Sequence, residues 1–162
     1  MNNQQERLIK LGWIKGFVDG EGCFSISLIK QNNRKEKNRM RKGYKTGYQI
    51  FHEFAVTQGA KSLNSLEALK KFFGVGNIYV NKRHDNHHDN LYRYVVRKRD
   101  ELTTVIIPFF KTNKLLTSKN ENFEKFAQCV EMTANKEHLT LKGLKKIISI
   151  ANLMNRKKKR KI

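Results

Sequence analysis

Glu21 stands between two glycines where a helical run stops, for Gly20-Glu21-Gly22 closes the stretch LGWIKGFVDGEG of residues 11–22. Glycines there end a helix, leave its last carbonyls without intrahelical partners and set Glu21 beside the negative end of the helix dipole. A carboxylate is unfavourable in that place unless a cation joins it. Carbonyl oxygens and a carboxylate are hard ligands of the kind Mg²⁺ or Ca²⁺ accepts, so Gly20 and Glu21 make half of a candidate divalent-metal site. A glycine-capped core helix with a solvated Glu21 is the alternative.

The helix that positions Glu21 is expected over residues 6–20. Gly12, Gly16 and Gly20 recur every four residues and share one face, where missing side chains let a second backbone come close. Leu8, Leu11, Ile14, Phe17 and Val18 recur at spacings of three and four and supply the core contacts, with Trp13 beside them. Glycine weakens a helix interior, so three aligned ones imply a reason.

IKGFVDGEG at 14–22 resembles the motif of the LAGLIDADG homing endonucleases, and the following CFSISL resembles their first strand. The similarity continues in the Tyr48–Gln58 strand ending VTQ, in IIPFF at 106–110, in TSK at 117–119 and in HLTLKGLKKIISI at 138–150. Lys15 departs from the pattern, which has a small or apolar residue there, and its side chain must lie outside a helix pair. The resemblance implies an α+β fold of mixed αββαββα order, with a saddle-shaped antiparallel sheet for DNA and extra C-terminal helices. It implies a site-specific homing endonuclease that makes metal-dependent double-strand breaks in a long pseudo-palindromic target and promotes intron mobility. Gly20 and Glu21 would bind Mg²⁺ against a scissile phosphate, Ca²⁺ supporting binding without cleavage. Gln58 would orient the water network, and Lys119 and Lys61 would polarise it or stabilise the phosphate. An intron RNA maturase, or a non-catalytic nucleic-acid-binding protein, is the alternative.

One glycine-faced helix ending in an acid occurs in the sequence, and the second α-β-β unit, from about Lys61, has no counterpart. Two chains pairing through Gly12, Trp13, Gly16, Asp19 and Gly20 would bring two Glu21 carboxylates together, so a homodimer is expected. The chemistry suits such a centre. Phosphodiester hydrolysis needs a nucleophilic water, charge neutralisation and help for the leaving oxygen, all of which metal ions can supply.

Composition points to nucleic acid independently: 34 Lys and Arg against 14 Asp and Glu give a net charge of +20 over 162 residues. Dense positive charge releases counterions from a phosphate backbone. A membrane partner is not expected, because no apolar run approaches spanning length and MNNQQERLIK lacks a signal peptide's hydrophobic stretch. Cys23 and Cys129, without zinc spacing, are expected as reduced thiols. The expected compartment is an organelle matrix, chloroplast or mitochondrion, or a prokaryotic cytoplasm. One domain over 1–155 and a flexible basic tail over 156–162 are expected.

Strands are expected at 23–31, 46–58, 76–83 and 91–99, with helices at 61–73, after Asp100, at 118–131 and at 140–155. In the first strand Phe24, Ile26 and Leu28 share one face; in the second, Ile50, His52, Phe54 and Val56 do so, and in the second hairpin Ile78, Val80, Tyr92, Tyr94 and Val96 point inward. The outer faces then carry Ser25, Ser27, Ile29, Gln49, Phe51, Glu53, Thr57, Tyr79, Asn81, Arg83, Arg93 and Arg97, a ribbon suited to reading base edges in a major groove. Residues 30–45 hold eight basic residues and one acid. This long loop is expected to be mobile when free, with Lys30, Arg34, Lys35, Lys37, Arg39, Arg41 and Lys42 on phosphates. HDNHHD at 84–89 is read as a hairpin turn, not a metal site. Pro108 is expected to halt the helix begun at Asp100, and RKKKRK at 156–161 to attract phosphate without specificity.

Overall fold

The computed structural model describes residues 3–31, 33–37, 39–82, 90–154 and 160, with the backbone alone at 34–36. Arg83, the HDNHHD stretch and the tail apart from Arg160 lie outside the described residues. The chain divides into two compact units, one of residues 1–24 with 53–120 and the other of residues 25–52 with 121–162.

The secondary structure is α+β. Helix α1 (Asn3–Glu21) leads into strand β1 (Gly22–Lys30), then the short β2 (Arg34–Glu36) and β3 (Arg39–Arg41), and the long β4 (Tyr48–Gly59). A 3-10 turn (Ala60–Ser62) precedes α2 (Leu63–Phe73), followed by β5 (Asn77–Asn81) and β6 (Leu91–Val96). The rest is helical: α3 (Arg99–Glu101), a π-helical stretch (Leu102–Ile106), α4 (Ile107–Thr112), α5 (Lys119–Ala134), a 3-10 turn (Glu137–Leu139) and α6 (Leu141–Asn152). Four strands form one sheet in the order β1-β4-β6-β5, with β4 and β5 both antiparallel to β6.

In the first unit an aromatic core holds the sheet to its helices. Phe54 of β4 stacks on Phe24 at 5.0 Å and meets Phe110, Phe73 and Tyr94 edge-on. Such pairs add about 1 kcal/mol each beyond the area they bury. Ile14 and Val18 are the residues of α1 that are fully buried. Leu8, expected among the core contacts, is 61% exposed because it lies in the early turns, where α1 runs bare. Val80, expected to point inward, is 50% exposed on the edge strand β5.

Pro108 does not halt its helix. The chain passes from the π-helical stretch into α4, where Pro108 occupies a first-turn position that needs no N–H. Leu102 and Ile106 of the π-helical stretch and Ile107 and Phe110 of α4 are all buried.

In the second unit α5 and α6 bury Phe123, Phe126, Ala127 and Val130 with Leu144, Ile147, Ile148, Ala151 and Met154. Thr140 caps α6 by accepting from the Gly143 amide at 3.1 Å. The 30–45 segment is not a structureless loop, since β2 and β3 pair antiparallel with Arg34 opposite Arg41 and Glu36 opposite Arg39. Arg160, expected as a phosphate-attracting residue of the tail, instead donates from Nε to the Ile26 carbonyl at 2.8 Å and from its backbone N–H to Asn152 Oδ1 at 2.8 Å. Among the described residues no helix is long and apolar enough to cross a membrane.

Candidate functional site

The end of α1 is built by two side chains reaching it from residues about a hundred positions later. Lys119 donates from Nζ to the Gly20 carbonyl at 2.9 Å and to the Val18 carbonyl at 3.1 Å, so an ammonium meets the negative end of the helix. Asp19 faces the other way. Its carboxylate accepts from the Leu116 and Thr117 amides at 2.7 and 3.1 Å and from the Thr117 hydroxyl at 2.5 Å. Thr117 Oγ1 accepts in turn from the Lys119 amide at 3.2 Å, so Asp19 fixes the turn that delivers Lys119. Asp19, a residue expected at a helix pairing, has its carboxylate committed to hydrogen bonds within its own unit.

The charges respond to this packing. Burial pulls the Lys119 ammonium below its ordinary value, against the opposing pull of Asp19, Cys23 and Glu21. Burial pushes the Asp19 carboxyl up, but the Thr117 hydroxyl, the Leu116 and Thr117 amides and the Lys119 charge outweigh it and leave it below the usual carboxylate range.

Glu21, the last residue of α1, is exposed, and β1 departs at once from Gly22. Only glycine fits at 22, since a Cβ there would meet the Val18 side chain and carbonyl at 2.6 Å. The glycine face is open: none of the described residues lies within 4 Å of where a Cβ would stand on Gly12, Gly16 or Gly20. Trp13 is 39% exposed and stacks on Phe17 at 5.2 Å. Gln58 lies in β4 opposite Tyr92, and Lys61 is exposed in the 3-10 turn that follows.

A divalent ion finds oxygen donors here but too few in one chain. Glu21 and the Gly20 carbonyl are hard ligands, and among the described residues no group of three or more His, Cys, Asp and Glu could hold a metal. The donors fit half of a site that a second helix end and a phosphate would complete.

On the sheet of the first unit, Thr57, Arg93 and Tyr79 lie side by side in register across β4, β6 and β5. Glu53 is not an exposed contact as expected. It is 7% exposed, accepting from Arg93 Nη2 at 2.6 Å and from Arg97 Nε at 2.7 Å. The Arg97 guanidinium also lies 5.5 Å from the Tyr79 ring centre, and Asn81 is exposed at the end of β5. In the second unit Ser25, Ser27 and Phe51 are half-buried, while Ile29, Lys30, Lys37, Arg39, Arg41 and Lys42 are exposed. Gln49 accepts from the Gln31 side chain at 2.8 Å. Arg34 and Lys35 lie in β2.

The family model described as LAGLIDADG endonuclease matches residues 14–130, a span that holds Glu21, Gln58, Lys61 and Lys119. The chain belongs to the LAGLIDADG endonuclease family. Among solved members, the homing endonuclease I-TnaI is 38% identical with a TM-score of 0.73, over 91% of this chain and 89% of its own. I-SmaMI, bound to an uncleaved DNA target in the presence of calcium ions, is 36% identical with a TM-score of 0.70, over 88% of this chain and 43% of its own. A probable intron-encoded endonuclease 2 from Neurospora crassa is 31% identical over 142 residues, 86% of this chain and 26% of that protein. The chain thus spans about a quarter of the length of the first curated relatives it matches.

Proposed function

We propose that this protein is a homing endonuclease that cuts both strands of a long, pseudo-palindromic DNA site, two chains acting together. The observation that carries this reading is an open Gly12, Gly16 and Gly20 face on the helix whose end presents the exposed Glu21 carboxylate. A bare glycine stripe costs helix stability, roughly 1 kcal/mol per residue against alanine, and a second helix laid on it supplies the compensating contact. Two such helices bring two copies of Glu21 together. Net charge of +20 and the solved relative bound to DNA support a DNA partner.

A divalent ion, Mg²⁺ in this reading, would be held by Glu21 and the Gly20 carbonyl and would neutralise charge on the scissile phosphate and activate water. The other steps belong to the chain. Lys119, held at the helix end by Asp19 through Thr117, is placed to polarise the water network or to stabilise the phosphate. Gln58, at the β4 end, orients the water network, and Lys61 contributes positive charge beside it. Calcium in the I-SmaMI complex with uncleaved DNA supports binding without cleavage under Ca²⁺. Fungal, intron-encoded relatives support an organelle matrix and lend the prokaryotic alternative nothing.

Selection of cleaved sites from a random duplex library with Mg²⁺ tests the reading. Recovery of one symmetric site family, absent with Ca²⁺ and absent with Glu21→Gln, is the expected result. Recovery of bound but never cleaved sequences, or of structured RNA in a parallel selection, would replace it with the binding-only or maturase reading.

A further inference from the structure

We propose that Glu53 is a positioning residue for sequence specificity: it fixes Arg93 and Arg97 in one arrangement so that the pair reads guanine edges in a DNA major groove instead of gripping phosphate. This rests on the endonuclease reading above. Glu53 is the one carboxylate among the sheet residues expected to face DNA, and in a chain of +20 it is buried there to 7% exposure. Each of its oxygens takes a different guanidinium, Oε1 from Arg93 Nη2 at 2.6 Å and Oε2 from Arg97 Nε at 2.7 Å.

Arg93 pairs with Thr57, and Arg97 follows directly on β6, whose last residue Val96 pairs with Phe54, so Glu53 lies at the Arg97 end of the ladder and Arg93 reaches it diagonally along β4. A guanidinium is a planar fork of five donors, and fixing one of them sets the direction of the rest. The Tyr79 ring, 5.5 Å from the Arg97 guanidinium, restrains it from another side. Finally the trio carries a net charge of one, not two, which weakens its hold on a bare phosphate, whereas guanidinium donors match the geometry of guanine O6 and N7. Long cationic side chains left loose on a sheet would bind backbone of any sequence.

The test uses the full chain with DNA from a binding selection in Ca²⁺, so that cleavage is not the readout. Affinity for the selected duplex, for duplexes with single guanines replaced and for unrelated duplex is measured against salt for wild type, Glu53→Gln and Arg97→Lys. For Glu53→Gln, discrimination at one or more guanine positions falls about tenfold or more, unrelated duplex binds tighter, and the slope of log affinity against log salt steepens by about one. Arg97→Lys, which keeps the charge on a half-exposed side chain, loses the same discrimination without that steepening, so the proposal stays testable if Glu53→Gln folds poorly. Discrimination unchanged in both variants, with only a lower melting temperature for Glu53→Gln, overturns the proposal and leaves Glu53 a packing residue. Wild type with no preference among duplexes overturns the endonuclease reading itself, which separates the two failures.

Discussion

Glu21 and Glu53 are acids of the same unit, and the fold treats them in opposite ways. Glu53 is buried and shared between Arg93 and Arg97, whereas Glu21 is exposed on the last residue of α1, where the helix dipole disfavours negative charge. Removing a carboxylate from water costs several kcal/mol, so Glu53 persists only with its cations already in place. Glu21 stays exposed at the helix end, where an arriving cation can reach it. A carboxylate satisfied by its own chain serves geometry, and one left exposed to solvent can serve a ligand.

That contrast breaks most sharply under the same substitution at both sites. Glu21→Gln removes an exposed charge near the Lys119 ammonium, so thermal stability changes by less than about 0.5 kcal/mol, while Mg²⁺-dependent cleavage falls by more than about 100-fold. Glu53→Gln leaves two arginines around a neutral amide and lowers stability by about 2 kcal/mol, measured by urea unfolding. If the two variants lost stability alike and both kept cutting, the distinction between a ligand-serving and a geometry-serving acid would be wrong.

Lys119 belongs to the same end of the comparison as Glu21. Lys119→Met removes the ammonium at the Gly20 and Val18 carbonyls, and cleavage is expected to drop about 100-fold, the lower end of what a positioned charge-stabilising donor contributes. Lys61→Met, on an exposed turn residue, should cost far less. Equal losses would mean that the deep lysine has no special part.

The glycine face gives a prediction whose sign is informative. Gly16→Ala places a methyl where none of the described residues lies within 4 Å, so the isolated helix should gain about 1 kcal/mol of stability. The same methyl intrudes on a paired helix. Sedimentation should therefore show weaker self-association from a chain that is itself more stable, and Gly16→Leu should separate the pair. A variant more stable and equally associated would show that the stripe is not the contact.

How far each feature could be read from residues alone follows from how local its cause is. The Gly12, Gly16 and Gly20 stripe and the helix ending at Glu21 come from spacing within one element, and the structure places both as expected. The alternation of β4 correctly put Ile50, Phe54 and Val56 inside and Glu53 on the other face, while His52, expected inside with them, is only half-buried. The burial of Glu53 depended on which residues of β6 stand opposite, and the register of Phe54 with Val96 is written in no single strand. The π-helical stretch before Pro108 was equally hidden, because it is a tertiary accommodation of buried side chains and not a propensity. The partners of Asp19 lie 97 and 98 residues away, and two of its hydrogen bonds come from backbone amides that carry no residue signature.

Asp19 supplies the smallest expected effect and the finest test of how the helix end is assembled. Its carboxyl is held below the ordinary value, because hydrogen bonds from Thr117 and Leu116 and the Lys119 charge together outweigh burial. The folded state therefore binds its proton more weakly than the unfolded chain does. The stability this contributes is fully present above the unfolded value of about 3.9 and is lost as pH falls through the lower folded value. Asp19→Asn should lower stability at neutral pH by about 1 kcal/mol, a shift of roughly 2–4 °C in melting temperature, and should flatten the loss of stability below about pH 4. Cleavage should fall less than in Lys119→Met, because the ammonium is still present and only the turn that aims it has loosened. A fall as deep as that of Lys119→Met would mean that Asp19 acts on the reacting groups themselves and not through Thr117.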